Sequence, residues 1–220
     1  MKETKQKKDG AWMTPNDIIL KMINFVEDDF YKTNVLEPTA GEGAIVLEIL
    51  NKKLSIGMTP QEAINTTFAN ELDEERYNML VKNINQWCIE HGCNIEINNI
   101  KLGDAKKINF DEWIPGFNVI TNLPFGSWSN SVLPRHIINN LLKHHAVYLT
   151  KWSTGCYTKY VPHVKKFENV VFPGIMYDTL LWEYDPDYTE GDIWIYWPIP
   201  KFPKHKLKKE YTKAGQTDET

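Results

Sequence analysis

Arginine is nearly absent from the sequence. The 220-residue chain carries two, Arg76 and Arg135, among its 25 basic side chains. Bidentate reading of guanine by arginine can therefore be only a minor theme, and any phosphate contacts fall to lysine. No apolar run approaches the ~18 residues of a membrane-spanning helix, so no membrane partner is expected. The opening MKETKQKKDG is polar, and no secretory signal is expected there. Three cysteines, Cys88, Cys93 and Cys156, are too few for a disulfide framework, which fits a reducing, cytoplasmic setting. Cys88-x-x-His91-x-Cys93 has the composition of a metal site, but it falls at a predicted helix end with no evident fourth ligand, so no metal is expected. An apolar content of 42% is enough to build a core and excludes a wholly disordered chain.

Charge of one sign is also missing locally. Between Trp113 and Phe167 there is no acid, while Arg135, Lys143, Lys151, Lys159, Lys165 and Lys166 are all basic. The two ends are lysine-rich as well. The segment that follows reverses sign, with Asp178, Glu183, Asp185, Asp187, Glu190 and Asp192. The overall charge of −4 thus averages an acidic half and a basic half, and it does not exclude a polyanionic partner.

What is present is an alternation of strand and helix signals. Thr14-Pro15-Asn16-Asp17 predicts a helix start, followed by Ile18, Ile19, Met22, Ile23 and Val26 at helical spacing. Strands are predicted at Asn34–Glu37, Thr66–Glu71, Ile95–Leu102, Phe117–Thr121 and Ala146–Thr150. Between them lie a helix carrying Ile45, Val46, Ile49 and Leu50, and a long one capped by Asp73 and ending near Gly92. Gly57-Met58-Thr59-Pro60 reads as a break. Ile137, Ile138, Leu141 and Leu142 predict a further helix. Val170–Phe172, Tyr177–Tyr184 and Ile193–Trp197 predict closing strands. This order implies an α/β fold with a mostly parallel sheet and helices on both faces. In such sheets ligands bind beyond the carboxyl ends of the strands. Four polar or glycine-rich elements fall there: Glu37–Gly43, Glu71–Asp73, Gly103-Asp104 and Asn122–Gly126.

The first of these, Glu37-Pro38-Thr39-Ala40-Gly41-Glu42-Gly43, lets a backbone turn tightly and approach a ligand. Val46 stands where a dinucleotide fingerprint needs its third glycine, which disfavours a pyrophosphate-bearing nicotinamide cofactor. Glu37 would repel a phosphate and attract a cation. Glu71 is placed to accept ribose hydroxyls, and Asp104 to accept from an adenine amino group. No Pro-Cys dipeptide is present, which argues against cytosine C5 methylation through a thiolate.

Asn122-Leu123-Pro124-Phe125 resembles the signature of S-adenosylmethionine-dependent methyltransferases acting on exocyclic amines. The Glu-Pro-x-Ala-Gly-x-Gly loop and the Thr14-Pro15 pair look most like bacterial and phage N6-adenine DNA methyltransferases. The resemblance covers roughly residues 12–126, with the pieces in the family's order. It implies a Rossmann-like class I methyltransferase fold with a seven-stranded sheet, and S-adenosyl-L-methionine as cofactor. Thr14, Pro15, Glu37, Pro38, Gly41, Gly43, Glu71 and Asp104 would then bind the cofactor. Asn122, with the carbonyl of Leu123, would hold the amino group, Pro124 belongs to the same catalytic tetrapeptide, and Phe125 would stack on a flipped base. Leucine in place of the family's first proline still supplies a carbonyl.

Trp128, Lys151 and Trp152 are candidate substrate-binding residues, since basic and aromatic side chains together can grip a nucleotide. The expected partner is nucleic acid, DNA ahead of RNA. The chain is short for such an enzyme, so target recognition falls to loops such as 127–135 and 152–166, or to a partner subunit. Three alternatives remain open: methylation of ribosomal or transfer RNA, methylation of a protein glutamine amide, and a non-catalytic nucleic-acid-binding module. The expected organisation is a basic tail at 1–11, one catalytic domain at 12–200 and a basic tail at 201–220.

Overall fold

The central strands are buried almost throughout, and successive residues point to opposite faces of a sheet, which builds two cores, one on each face. In the computed structural model, residues 13–124, 137–138, 140–151, 158–161, 163–172, 179–189 and 193–196 are described. The strands are β1 (Asn34–Glu37), β2 (Thr67–Glu71), β3 (Ile100–Leu102), β4 (Phe117–Asn122), β5 (Ala146–Lys151), β6 (Thr158–Val161), β7 (Val164–Val170), β8 (Thr179–Tyr184) and β9 (Ile193–Tyr196). The helices are α1 (Asn16–Ile23), α2 (Ala44–Ser55), α3 (Pro60–Asn65), α4 (Glu74–His91) and α5 (Phe110–Trp113). Ile137, Ile138, Asn140 and Leu141 are helical too.

A seven-stranded sheet runs in the order β3-β2-β1-β4-β5-β8-β7. The first five strands are mutually parallel, and β8 runs against both β5 and β7. Val35, Ile120, Val147, Leu149 and Leu181 face α1 and α2. Leu36, Val119, Tyr148, Leu180 and Trp182 face the other way, toward Phe110, Ile137, Ile138 and Leu141. A third cluster joins α2, α3 and α4 over Ala69 and Ile100. Helices therefore cover both faces, as the sequence predicts. Among the described residues, no helix is long and apolar enough to cross a membrane.

The boundaries follow local chemistry. Asp73 caps α4 by accepting from the Arg76 N–H at 3.1 Å. Gly92 closes α4 in the left-handed conformation (φ 68). Thr59 does more than end the preceding break. It forms a capping box with Glu62, each side chain accepting from the other's N–H, and Pro60 sits in the first turn, so α3 forms where the sequence reading placed only a break.

Two strand expectations are corrected. Ile95 and Ile97 do not extend β3, because residues Ile97–Asn99 make a 3-10 turn held by the Glu96 carboxylate on the Asn98 N–H. Asn99 then turns inward and donates to the carbonyls of Ile64 and Asn65. The strand predicted at Val170–Phe172 is the longer β7, ending at Val170. Of the predicted closing strands, β9 lies outside the main sheet and pairs with β6.

Candidate functional site

The carboxyl ends of β2, β1 and β4 lie side by side, and chain order reverses between β1 and β4. That reversal opens a crevice at the strand ends. Glu37, Glu71 and Asn122 are the last residues of those three strands.

Glu37 has no exposed surface. Its Oε1 accepts from the Thr121 hydroxyl at 2.7 Å, the Thr39 N–H at 2.9 Å and the Thr39 hydroxyl at 3.1 Å. Its Oε2 has no partner. Burial pushes the carboxyl up to about 8, against the three donors and with help from the Glu71 charge. An unpaired carboxyl oxygen in this position is satisfied by its own proton or by a donor that a ligand brings. The best ligand is cationic, because it restores the charged form.

The loop after β1 is shaped by two glycines with positive φ, Gly41 at 57° and Gly43 at 95°. A Cβ on Gly43 would lie 2.6 Å from Leu80 Cδ1, so this residue lets the loop close onto α4. A Cβ on Gly41 would meet nothing within 4 Å. The space in front of Gly41 is open to a ligand.

Glu71 is buried and fastens this loop, its Oε2 accepting from the Gly41 N–H at 2.7 Å and its Oε1 from the Asp73 N–H at 2.9 Å. Asn70, missed in the sequence, joins the next two loops. Its Nδ2 donates to the carbonyls of Pro38 at 3.0 Å and Gly103 at 3.1 Å. Its Oδ1 is buried without a partner. Asp104 stands beyond β3, accepting from the Lys106 N–H and facing the Lys106 ammonium at 3.6 Å. Leu72, also missed, is an apolar side chain 62% exposed beside Glu71.

Asn122 ends β4 with its Nδ2 donating to the Thr14 hydroxyl at 2.7 Å. Its Oδ1 is buried and unpartnered. Pro15 caps α1 through its carbonyl, which accepts from the Ile19 N–H at 3.0 Å. Leu123 packs its side chain into the core and donates its N–H to the Leu149 carbonyl at 3.3 Å. A proline here would forgo that bond, which gives the departure from a double-proline motif a structural reason. Pro124 follows, half-buried. Thr39, a third residue not singled out in the sequence, lies between the two halves. Its hydroxyl contacts Thr121 Oγ1 at 3.0 Å and the Asn122 carbonyl at 3.4 Å as well as Glu37.

The structure joins Thr14 to Asn122 and Gly41 to Glu71, sets Thr39 between Glu37 and the Asn122 carbonyl, and links Pro38 to Gly103 through Asn70. Pro15, Leu123, Pro124 and Asp104 adjoin these residues in sequence, and Gly43 packs on Leu80. Phe125, Trp128 and Trp152 lie outside the described residues, as does the side chain of Lys151. The acid-free stretch of sequence meets acids in space. Lys143 and His144 pair with Asp111. His145, Lys165 and Lys166 converge on Glu183, at the amino-terminal end of β5 and away from Asn122. Burial opposes the Glu183 charge, but the His145 hydrogen bond and the two ammonium groups hold its carboxyl below the usual range.

A family model described as N-6 DNA Methylase matches residues 1–151. No curated protein sequence matches the chain. Among solved structures, the M protein of the type I restriction enzyme EcoKI is similar at 17% identity and TM-score 0.58, over 80% of this chain and 44% of that one. A modification subunit of a putative type I restriction enzyme from Vibrio vulnificus YJ016 gives 17% and 0.57, over 82% of this chain and 45% of that one. DrdV, solved in complex with DNA, gives 13% and 0.57, over 81% of this chain and 27% of that one. The chain spans less than half the length of these neighbours, and the likeness shows the class I methyltransferase fold.

Proposed function

The chain belongs to the N-6 DNA methylase family, and from that premise we propose that it transfers a methyl group from S-adenosylmethionine to the exocyclic N6 of adenine in DNA. The observation that carries the proposal is the Asn122 amide, whose Oδ1 is buried and unpartnered at the end of β4.

The residues at the strand ends fit the cofactor. The bare Glu37 oxygen suits its cationic methionine end, the open space at Gly41 admits its backbone-facing part, and Glu71 and Asp104 are acceptors for ribose and adenine. Pro38 holds the loop through its bond from Asn70, and Gly43 sets the loop against α4. When bound, the cofactor supplies a methyl group activated by its sulfonium.

An exocyclic amine is a poor nucleophile because its lone pair is delocalised into the ring. Asn122 Oδ1 accepts one N6 hydrogen and the Leu123 carbonyl accepts the other. The lone pair would then be directed at the methyl group, the N6–CH3 bond forming as the S–CH3 bond breaks with S-adenosylhomocysteine as leaving group. The positive charge building on N6 would be met by these two acceptors, and the surplus N6 proton would pass to solvent. Such chemistry requires the base outside the stack, with Phe125 stacking on it and Trp128, Lys151 and Trp152 gripping the strand. Sequence recognition is assigned to residues 127–135 and 152–166 or to a partner subunit. Within 152–166, Thr158–Val161 forms β6 and β7 begins at Val164, so this segment is not the loop that the sequence led us to expect.

The test is calorimetry with S-adenosylmethionine followed by transfer of labelled methyl to unmethylated plasmid DNA, total RNA and protein. Cofactor binding with label in DNA supports the proposal. Label confined to RNA or protein moves the substrate class, and no cofactor binding overturns the proposal.

A further inference from the structure

Thr14 immediately precedes Pro15, which holds the N-cap position of α1 without a side-chain cap. The Thr14 hydroxyl reaches the Asn122 amide at 2.7 Å, 108 residues along the chain. It is the amide's one partner among the described residues, since Oδ1 has none.

This contact bears on orientation. The two ends of an asparagine amide are nearly equal in shape and opposite in hydrogen-bonding character. With Oδ1 toward the base, Asn122 accepts from an adenine amine. Turned over, it presents an NH2 to another NH2, and the site repels its substrate. The neighbours of Asn122 decide which form is held. Thr39 approaches its backbone carbonyl, and Leu123 is fixed to Leu149 through the backbone. Neither touches the amide. α1 is anchored by burial of Ile18, Ile19, Met22 and Ile23 and by the Lys21–Glu168 ion pair, so Thr14 is carried on a firm base.

We propose that Thr14 is a positioning residue that fixes the Asn122 amide with its oxygen toward the methyl acceptor. This rests on the reading of Asn122 as the acceptor of the adenine amine. The hydroxyl accepts from Nδ2, and with that end of the amide held there Oδ1 is the end left for the methyl acceptor. Thr14 thereby couples the docking of the N-terminal helix to the readiness of the strand β4 terminus.

The experiment compares Thr14→Val, Thr14→Ala and Thr14→Ser with wild type. It uses single-turnover methylation of unmethylated plasmid DNA at saturating cofactor, calorimetry with S-adenosylhomocysteine, and thermal melting. Asn122→Ala is the control for the underlying reading. Valine and alanine variants should lose about tenfold or more in the transfer rate, while their affinity for S-adenosylhomocysteine changes less than about threefold. The serine variant, which keeps the hydroxyl, should recover most of the rate. A valine or alanine variant with full rate overturns the role, as does a defect that disappears once cofactor saturates, or a serine variant as slow as valine. If Asn122→Ala transfers as wild type, the reading of the site itself fails. If Asn122→Ala is inactive while both hydroxyl-free variants are fully active, only the Thr14 role fails.

Discussion

Glu37 and Thr121 meet at 2.7 Å across the seam between β1 and β4, 84 residues apart in sequence. The contact loads one oxygen of the carboxyl and leaves the other without a partner. Burial then keeps the group protonated up to about 8, from an ordinary value of 4.5. For stability the sign is clear. A raised carboxyl favours the folded state fully below the unfolded value, and that contribution is lost as pH climbs through the folded value.

For ligand binding the same shift predicts proton release. A cationic cofactor end restores the carboxylate, so S-adenosylmethionine should bind more tightly as pH rises from 6 toward 8, by up to about tenfold per unit. Calorimetry in buffers of different ionisation enthalpy counts the protons released. Glu37→Gln should weaken binding and remove the wild-type component of the pH dependence. Equal pH dependence in both proteins would contradict this account of Glu37.

Lys53 makes a second pH prediction with the opposite sign. It is fully buried, with Nζ donating to the carbonyls of Thr33 and Thr66 and to the Thr66 hydroxyl. Burial lowers its ammonium to about 7. The unfolded chain holds this proton up to about 10.5, so wild-type stability should gain a rising component between the two values. Lys53→Met should remove it. The difference in melting temperature between the two proteins, followed from pH 7 to pH 10, reads the effect; a constant difference would show that Lys53 does not titrate this way.

The two glycines of the first loop should separate folding from binding. Gly43→Ala forces a methyl against buried Leu80 at a positive φ, and should cost about 1–3 kcal/mol in denaturant unfolding. Gly41→Ala meets no protein atom, so its folding cost is limited to about 1–2 kcal/mol of backbone strain, but its methyl enters the ligand's space. Cofactor affinity should therefore fall in Gly41→Ala out of proportion to its stability. Parallel losses in both variants would show that the space at Gly41 is not used.

The strands were legible in the sequence where short apolar runs end at an acid or an asparagine, as at Glu37, Glu71 and Asn122. The same runs fall at one end of the sheet, so the site's location was legible too. The Ile95–Ile97 alternation misled because Glu96 bonds locally to the backbone, and alternation cannot distinguish a strand from a turn that a side chain holds. Asn70, Thr39 and Thr121 were not singled out, since a polar residue in a strand carries no mark of what it reaches. Their partners come from neighbouring strands and loops. Charge was the least legible feature. Lys165 and Lys166 sit in an acid-free stretch of sequence, yet Glu183 faces them from the adjacent antiparallel strand.

The most direct test of the central claim is mass-spectrometric measurement of N6-methyladenine in unmethylated plasmid DNA incubated with S-adenosylmethionine and either wild-type protein or Asn122→Ala. The Asn122 reading predicts N6-methyladenine with wild type, a loss of about 100-fold or more in the variant, and cofactor affinity unchanged within a few-fold. Wild-type levels of N6-methyladenine from Asn122→Ala would contradict it.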